Sequence, residues 1–549
     1  MKIPNIEKLT KIKIVSFTEV FQMSKLVETM TKIPSIFNDV LGPVMRGPSS
    51  SHSAAALRIG RLARDLMGGQ LTKVVVEYDP TGSLVTTHES QGSDLGFYGG
   101  LMGWETDDPR LMDFRAEILK AGIEVETRYL AYGAKHPNTY RLTLINQQGK
   151  RRLEAISTGG GMIEVKEIDG VPLKMAGDYF ETIMMGEIPD DVYEAEFFEE
   201  IHHHSEGGVT MIQGCSRSYP SEELLEKIRG SMGVSSVVVL HPVLPVLGRK
   251  KVEVPFLTVG EMIEYRESQE GKLELWELAM CYEAARGGIT EAEVFAKMEE
   301  LVEVFESSIS SGLGGTDYED RILPCQSGGF EKKLSEGALI PGDVLNRVIL
   351  YVTAMMEMKS SLGVIVAAPT AGSCGALPGA VFGVSDALSL GKEERVQAML
   401  VAGLIGVFIT SRATFAAEVA GCMAECGSGA SMAAAALTGL VGGTLEQQLG
   451  AASQALQNSF GMTCDTVANR VEAPCLGKNV MAASNALACS NMALADYQHL
   501  VPLDQVIGAM HQVGELMPRE ICCTGLGGLA VTPASREIEE KLRSLPKVN

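Results

Sequence analysis

The first third of the chain mixes strand-like and helix-like hydrophobic patterns. Val, Ile, Leu and Tyr concentrate over Lys73–Tyr78 and Tyr140–Ile145, which predicts two half-buried strands. Apolar residues recur at helical spacing over Ala54–Met67, and glycine-rich turns are expected at Gly99–Gly100 and Gly159–Gly161. The pattern therefore predicts an α+β domain.

A second pattern follows, with short elements in quick succession. Strands and helices alternate in fewer than about 80 residues, an order typical of small ferredoxin-like modules such as the amino-acid-binding ACT type. The predicted order is strand Phe180–Met185, helix Glu194–His203, strand Gly208–Gln213, helix Ser221–Ser231 and strand Ser235–Leu240.

Beyond about Val254 strand signals nearly vanish, and Ala, Leu and Met recur at helical spacing to the end of the chain. The longest apolar run, Met399–Thr410, is shorter than the roughly 20 residues that a membrane span needs, so it predicts a buried helix. The sequence thus predicts an α+β N-terminal domain (33–170), a small ACT-like βαβ module (176–250) and a large all-α domain (256–549).

Charge and composition narrow the possible functions. The chain has 549 residues, with 69 acidic against 47 basic side chains and a formal net charge of -22. A broad acidic surface argues against binding to nucleic acid or to an anionic membrane. Met1–Lys32 lacks the apolar segment of a secretory signal, and the 11 irregularly spaced cysteines suit a reducing cytosol. A cytoplasmic location is expected, and the Ala- and Gly-rich helices favour a homo-oligomer.

Three cysteines of the helical region have unusual neighbours. Cys422, Cys464 and Cys475 each lie close to Gly or Pro, which predicts irregular backbone around the thiols. Irregular backbone leaves N–H groups free to bond sulfur, as thiolate clusters require. Because cysteine is also among the most buried residue types, simple packing is the alternative.

These cysteines also carry a family resemblance. They are 42 and 11 residues apart, and Cys422 closes the motif Ala417-Glu-Val-Ala-Gly-Cys. Together with Ala368-Pro-Thr-Ala-Gly-Ser-Cys-Gly and Gly47-Pro-Ser-Ser-Ser-His, they resemble the iron–sulfur L-serine dehydratases. The resemblance covers about residues 33–170 and 300–535, and it joins the β-type and α-type parts of that family in one chain.

The resemblance implies a [4Fe-4S] cluster held by the three cysteines, with its fourth iron facing a small carboxylate substrate. An open-site metal can act as a Lewis acid on a hydroxyl oxygen. Ser49, Ser50, Ser51 and His52 precede the predicted helix, where hydroxyls and N–H groups favour an anion, although a plain helix cap is the alternative. We expect these residues and Thr370 to hold the substrate carboxylate or to relay protons.

The chain also departs from the family. Gln91 stands where the serine enzymes carry a histidine proposed as the base, so His52 and His88 are the leading candidates for that role. Ala371 and Leu526 replace a polar residue and an arginine of the family. The expected reaction is loss of water from HOCH2–CH(X)–COO⁻.

Two substrates remain open at this point, L-serine and 2-(hydroxymethyl)glutarate. They share the hydroxymethyl and carboxylate groups and differ in X. Two other functions are also open, namely a cluster-bearing regulatory sensor without catalysis and a zinc hydrolase that uses the same cysteines.

Overall fold

The computed structural model describes residues 33–189, 195–318 and 321–544. Met1–Lys32, where the sequence shows no secretory signal, lies outside the described residues. The strands are β1 (Val44–Met45), β2 (Lys73–Tyr78), β3 (Glu124–Tyr129), β4 (Thr139–Asn146), β5 (Gly149–Gly159), β6 (Met162–Ile168), β7 (Val171–Met175), β8 (Phe180–Gly186), β9 (Glu200–Glu206), β10 (Val209–Ser216), β11 (Val234–Leu240) and β12 (Ile365–Val366).

A six-stranded mixed sheet in the order β3-β2-β4-β5-β6-β7 forms the N-terminal region. Helices Ala55–Leu66 and Ser93–Leu101 pack together over its buried face. The predicted turn at Gly99–Gly100 is wrong, because both glycines belong to the second of these helices. A side chain at Gly100 would come within 2.1 Å of the Leu57 carbonyl oxygen, so the glycine permits close helix packing.

A second, antiparallel sheet follows in the order β11-β8-β10-β9, with the helix Glu222–Arg229 between β10 and β11. The predicted helix Glu194–His203 is wrong, because Glu200–Glu206 is strand β9. Its backbone pairs with β10, from Glu200 opposite Cys215 to Glu206 opposite Val209. This pairing outweighs the helical spacing of the few apolar residues before it.

The rest of the chain is helical, as predicted. The apolar run lies in the buried helix Lys392–Thr410, and no helix among the described residues is long and apolar enough to cross a bilayer. The α-helices of this part are Val259–Ser268, Leu275–Gly287, Glu291–Leu313, Ser327–Ser335, Asp343–Ser360, Ala376–Leu388, Lys392–Thr410, Ala417–Cys422, Ser428–Leu440, Leu445–Gln457, Ala473–Leu494, Leu503–Glu515 and Pro533–Ser544. Three shorter α-helices, Leu84–Thr87, Ser93–Leu101 and Phe114–Lys120, belong to the N-terminal region.

A short ladder joins the N-terminal and helical regions. Strand β1 pairs antiparallel with β12, with Val44 opposite Val366. The chain continues from β1 into the serine-rich segment 49–52 and from β12 into the loop that contains Thr370. Two segments more than 300 positions apart in sequence are thereby held next to each other.

Candidate active site

Each of the three singled-out cysteines has a backbone that turns its thiol inward. Cys422 ends the helix Ala417–Cys422, whose backbone is kinked at Gly421, with a φ of 63°. A side chain at Gly421 would approach the Met462 carbonyl oxygen to 2.7 Å, so glycine is required there. Cys464 lies in an extended segment, where its N–H donates to the Ile521 carbonyl at 2.8 Å.

Cys475 lies in the first turn of the helix Ala473–Leu494, with Pro474 before it. The expectation of irregular backbone therefore holds at Cys422 and Cys464, whereas Cys475 begins a regular helix. All three side chains are buried, at 1%, 4% and 5% exposure in chain order. The segments that carry them come from separate parts of the helical region.

Two of the three thiols lie close together. The sulfur atoms of Cys422 and Cys464 and a carboxylate oxygen of Glu425 lie within 4.8 Å of one another. Hydrogen bonds from Cys426 and Cys464 hold the pKa of Cys422 well below its usual value. Burial raises the pKa of Cys475 to about 12, and nearby Lys359 opposes that rise. One thiolate thus already has stabilising partners within a group of buried thiols.

A partly buried ion pair fixes the segment around Cys464. Lys478 Nζ donates to Asp465 Oδ1 and to the Thr463 carbonyl, each at 2.6 Å. Burial disfavours the charged lysine, but the Cys422 thiolate and the Asp465 carboxylate together raise the pKa of Lys478. The helix that carries Cys475 is therefore tied through its own lysine to the residues on both sides of Cys464.

The serine-rich segment faces the same place. Ser51 Oγ donates to Glu418 Oε1 at 2.8 Å, and Glu418 precedes Cys422 by four residues. Ser49 Oγ and Ser51 Oγ lie 3.0 Å and 3.1 Å from His52 Nδ1. The Ser49 hydroxyl is thus engaged with His52 and Ser51, which favours a site over a plain helix cap.

The bonds around His52 identify its tautomer. Its Nε2 lies 2.9 Å from Thr87 Oγ1, and Thr87 gives its own proton to the Ser83 carbonyl at 2.7 Å. Thr87 can therefore only accept, so His52 carries its proton on Nε2 and has a lone pair on Nδ1. Burial lowers the pKa of His52, Glu418 raises it, and His88 lowers it further. The imidazole is consequently neutral near pH 7 and can accept a proton.

The Thr370 loop completes the arrangement. The Ala371 N–H donates to Ser50 Oγ at 3.2 Å, and Thr370 Oγ1 donates to Glu425 Oε1 at 2.6 Å. A side chain at Gly372 would come within 2.7 Å of the Glu425 carboxylate. Burial, and then the Cys422 thiolate, raise the pKa of Glu425 to about 8. The loop thus links the serine-rich segment to the carboxylate beside the thiols.

His88 is 5% exposed, and it is therefore not a surface histidine. Its Nδ1 lies 2.8 Å from Asp94 Oδ1, and its Nε2 lies 2.8 Å from the Tyr129 hydroxyl. Gln91, at the position of the family histidine, directs its amide to Cys523 Sγ at 3.9 Å. Both ring nitrogens of His88 are engaged, whereas Nδ1 of His52 faces only hydroxyls.

Sequence reasoning missed several residues at this site. Glu418, Glu425, Thr87 and Cys523 each contact a predicted site residue or one of the thiols. Glu418 and Glu425 lie four residues before and three residues after Cys422, so their closeness to that cysteine was a usable signal. The partners of Thr87 and Cys523 come from other parts of the chain, and local spacing contains no signal for them.

Replacing Thr370 with valine tests the loop. The change removes the hydroxyl that donates to the partly buried Glu425, so we expect the free energy of unfolding to fall by about 1–3 kcal/mol. Chemical denaturation measures the loss. The control is Thr72→Val at an exposed threonine, with an expected loss below about 0.5 kcal/mol. Equal losses for the two variants would mean that the hydrogen bond from Thr370 to Glu425 does not contribute to the free energy of unfolding.

The donor set fits a soft metal centre. Cys422, Cys464 and Cys475 are buried, unoxidised thiols from separate segments, the first two close together, and thiolate ligands select iron–sulfur clusters or zinc over Mg²⁺ and Ca²⁺. Hydrogen bonds from Cys426 and Cys464 lower the pKa of Cys422 and so favour its thiolate form. The residues present are therefore compatible with the cluster that the sequence resemblance implies.

Known proteins are similar in sequence to both the N-terminal region and the helical region of this chain. The serine dehydratase alpha chain family matches residues 270–530. The probable L-serine dehydratase alpha chain of Bacillus subtilis is 34% identical over 287 residues, which covers 52% of this chain and 95% of the relative. The probable beta chain of the same organism is 39% identical over 148 residues, 27% of this chain and 66% of the relative. An L-serine dehydratase of Streptomyces coelicolor is 28% identical over 504 residues, 88% of this chain and 96% of the relative.

Proposed function

This chain belongs to the serine dehydratase family and is a carbon–oxygen lyase, and from that premise we propose that it removes water from a small acid with the core HOCH2–CH(X)–COO⁻. The observation that carries the proposal is the meeting of two segments. The Ser49–His52 segment contacts Glu418, on the same short helix as Cys422. Substrate-binding hydroxyls and a thiol cluster are therefore within reach of one small molecule.

We further propose that Cys422, Cys464 and Cys475 hold a [4Fe-4S] cluster. Such a cluster, when bound, supplies a Lewis acid that makes the substrate hydroxyl a better leaving group. The chain's own residues perform the remaining tasks. The hydroxyls of Ser49, Ser50, Ser51 and Thr370 orient the carboxylate, and burial of the site excludes bulk water.

Proton removal falls to His52 in this proposal. Its Nδ1 carries the lone pair, its Nε2–H is held by Thr87, and its burial keeps the ring neutral. The proton on the carbon next to the carboxylate passes to Nδ1, either directly or through Ser49. The electron pair left behind forms the double bond as hydroxide departs from the next carbon, and the proton taken up by His52 is returned to that hydroxide to give water. His88 is the other candidate, and its two nitrogens are already bonded to Asp94 and Tyr129.

The substrate is L-serine or 2-(hydroxymethyl)glutarate. The names of the relatives support L-serine. The replaced positions Ala371 and Leu526 support a substrate whose X is not an ammonium group, because a polar residue and an arginine of the family are missing there. Leu526 is 60% exposed, so it lies at the surface of the described structure.

An anaerobic assay of the purified protein tests the proposal. We expect turnover of L-serine to pyruvate and ammonia, or of 2-(hydroxymethyl)glutarate to a conjugated alkene seen by ultraviolet absorbance. Turnover of neither compound by a brown, iron-containing protein would contradict the lyase proposal and favour a regulatory sensor. A colourless protein that contains zinc would instead favour a zinc hydrolase.

The domain limits 33–170, 176–250 and 256–549 remain proposals, as do a cytoplasmic location and a homo-oligomer. For the second domain we propose an ACT-like regulatory role. Its four antiparallel strands support this proposal, with β8 and β10 central and one helix between β10 and β11. Isothermal titration with amino acids would test it.

A further inference from the structure

Lys359 is an unusual residue beside the thiols. It lies in the last turn of the helix Asp343–Ser360 and is 0% exposed, among the largest fully buried side chains of the described residues. Its Nζ donates a short hydrogen bond to the Val471 carbonyl. Among the described residues, no carboxylate oxygen lies within ion-pairing distance of this nitrogen.

Burying an ammonium group in such an environment costs free energy. Removing a charge from water costs several kcal/mol even after the protein relaxes, and one neutral carbonyl does not compensate for it. Proteins keep buried charges where an opposite charge is present. The burial of Lys359 therefore calls for a negative charge nearby in the working protein.

The groups that face Lys359 are those of the thiol site. Its charge favours the ionised forms of Cys475, Cys374 and Glu425, although burial outweighs it in raising the pKa of each of the three. The other lysine of the site, the partly buried Lys478, already has Asp465 as its partner. Lys359 is thus a buried cation that has no carboxylate at ion-pairing distance among the described residues.

We infer that Lys359 is the counter-charge of the metal centre, placed to stabilise the negative charge of an iron–sulfur cluster held by Cys422, Cys464 and Cys475. The inference rests on the cluster in the proposed function. The negative charges of three cysteine thiolates exceed the positive charge of an oxidised [4Fe-4S] core. The cluster together with its three cysteine ligands is therefore anionic. Lys359 also holds the Val471 carbonyl, four residues before Cys475, and so positions the start of that helix.

The electrostatic role and a purely structural role predict opposite results for Lys359→Met. Methionine fills the space without the charge. If Lys359 serves the cluster, the cluster-free variant will be at least as stable as the cluster-free wild type, because an unpaired buried charge has been removed. The reconstituted variant will lose iron to a chelator about tenfold faster, a size typical of groups that support metal ligands. Its midpoint potential will be more negative, because the reduced cluster carries more negative charge.

Chemical denaturation, chelator kinetics and an anaerobic redox titration followed by electron paramagnetic resonance measure these three quantities. Lys359→Arg keeps the charge and should restore the midpoint potential. Lys332→Met, at an exposed lysine, is the matched control and should leave all three unchanged. A less stable cluster-free Lys359→Met protein with unchanged potential and iron retention would overturn the inference, leaving a structural bond to Val471.

The same experiment separates this inference from the proposed function. A wild-type protein that takes up no cluster overturns both. A wild-type protein that takes up a cluster but turns over neither substrate overturns the lyase activity alone, and the comparison of potentials still decides the role of Lys359.

Discussion

Replacing Cys475 with serine will yield a protein that retains little iron and has lost at least about a thousandfold in activity. A serine hydroxyl is a poor ligand for iron, so the centre would lose one of its three protein ligands. The Lewis acid that the cluster supplies is worth several kcal/mol, and each 1.36 kcal/mol corresponds to a factor of ten in rate. Iron content, visible absorbance and anaerobic turnover measure the effect.

Cys489→Ser is the matched control, because Cys489 lies on the same helix and is also buried. Its sulfur is bonded to Asn458 and Asn485, away from the converging thiols. We expect this variant to keep its iron and nearly all of its activity. Full activity and a full iron content in Cys475→Ser would contradict the assignment of Cys475 as a ligand.

The fold followed from the sequence where local pattern and tertiary packing agree. Strand β2 has the predicted limits, because three consecutive valines, Val74–Val76, and Tyr78 favour a strand there. The helix Ala55–Leu66 matches its predicted range within one residue at each end, since its apolar residues recur on one face. Prediction failed at β9, a polar edge strand whose identity depends on its pairing with β10. Propensity alone cannot supply that long-range contact.

The sequence predicted the types of residue in the candidate site better than it predicted the hydrogen bonds between them. Cysteine spacing and the Ser49–His52 segment predicted parts of the chain that the fold brings close together. The sequence could not show that Ser51 meets Glu418 across 367 positions, or that Thr370 meets Glu425 across 55. Such contacts depend on the β1–β12 ladder and on helix packing, and both are tertiary features. For the same reason the sequence could not decide whether His52 or His88 is the better candidate for the base, because that choice depends on the hydrogen bonds that each makes.

The second large effect is expected at His52. His52→Gln keeps a side chain of similar size that can donate to Thr87, but it removes the basic nitrogen. General base catalysis contributes about 10²–10⁴ in rate, so kcat should fall within that range while the fold is retained. Steady-state kinetics under anaerobic conditions, together with the iron content of the variant, check this result. An intact cluster in the inactive variant would show that the loss comes from proton transfer.

The pH dependence of the wild type follows from the environment of His52. Burial lowers its pKa below the ordinary value of 6.5, partly offset by Glu418 and reinforced by His88. Protonation fills the lone pair on Nδ1, so kcat/KM should be constant near pH 7 and should fall only as the pH drops below 6.5. This acid limb should vanish in His52→Gln, because the variant has no group that titrates at that position.

His88→Gln distinguishes the two candidate bases. The nitrogens of His88 are bonded to Asp94 and Tyr129, so its loss should lower stability and reduce kcat by less than about tenfold, with the acid limb unchanged. His511→Gln, at an exposed histidine, controls for histidine replacement in general. The opposite pattern, with an active His52→Gln and an inactive, fully folded His88→Gln, would transfer the role of base to His88. Nδ1 of His52 would then serve only to orient Ser49 and Ser51 toward the substrate carboxylate.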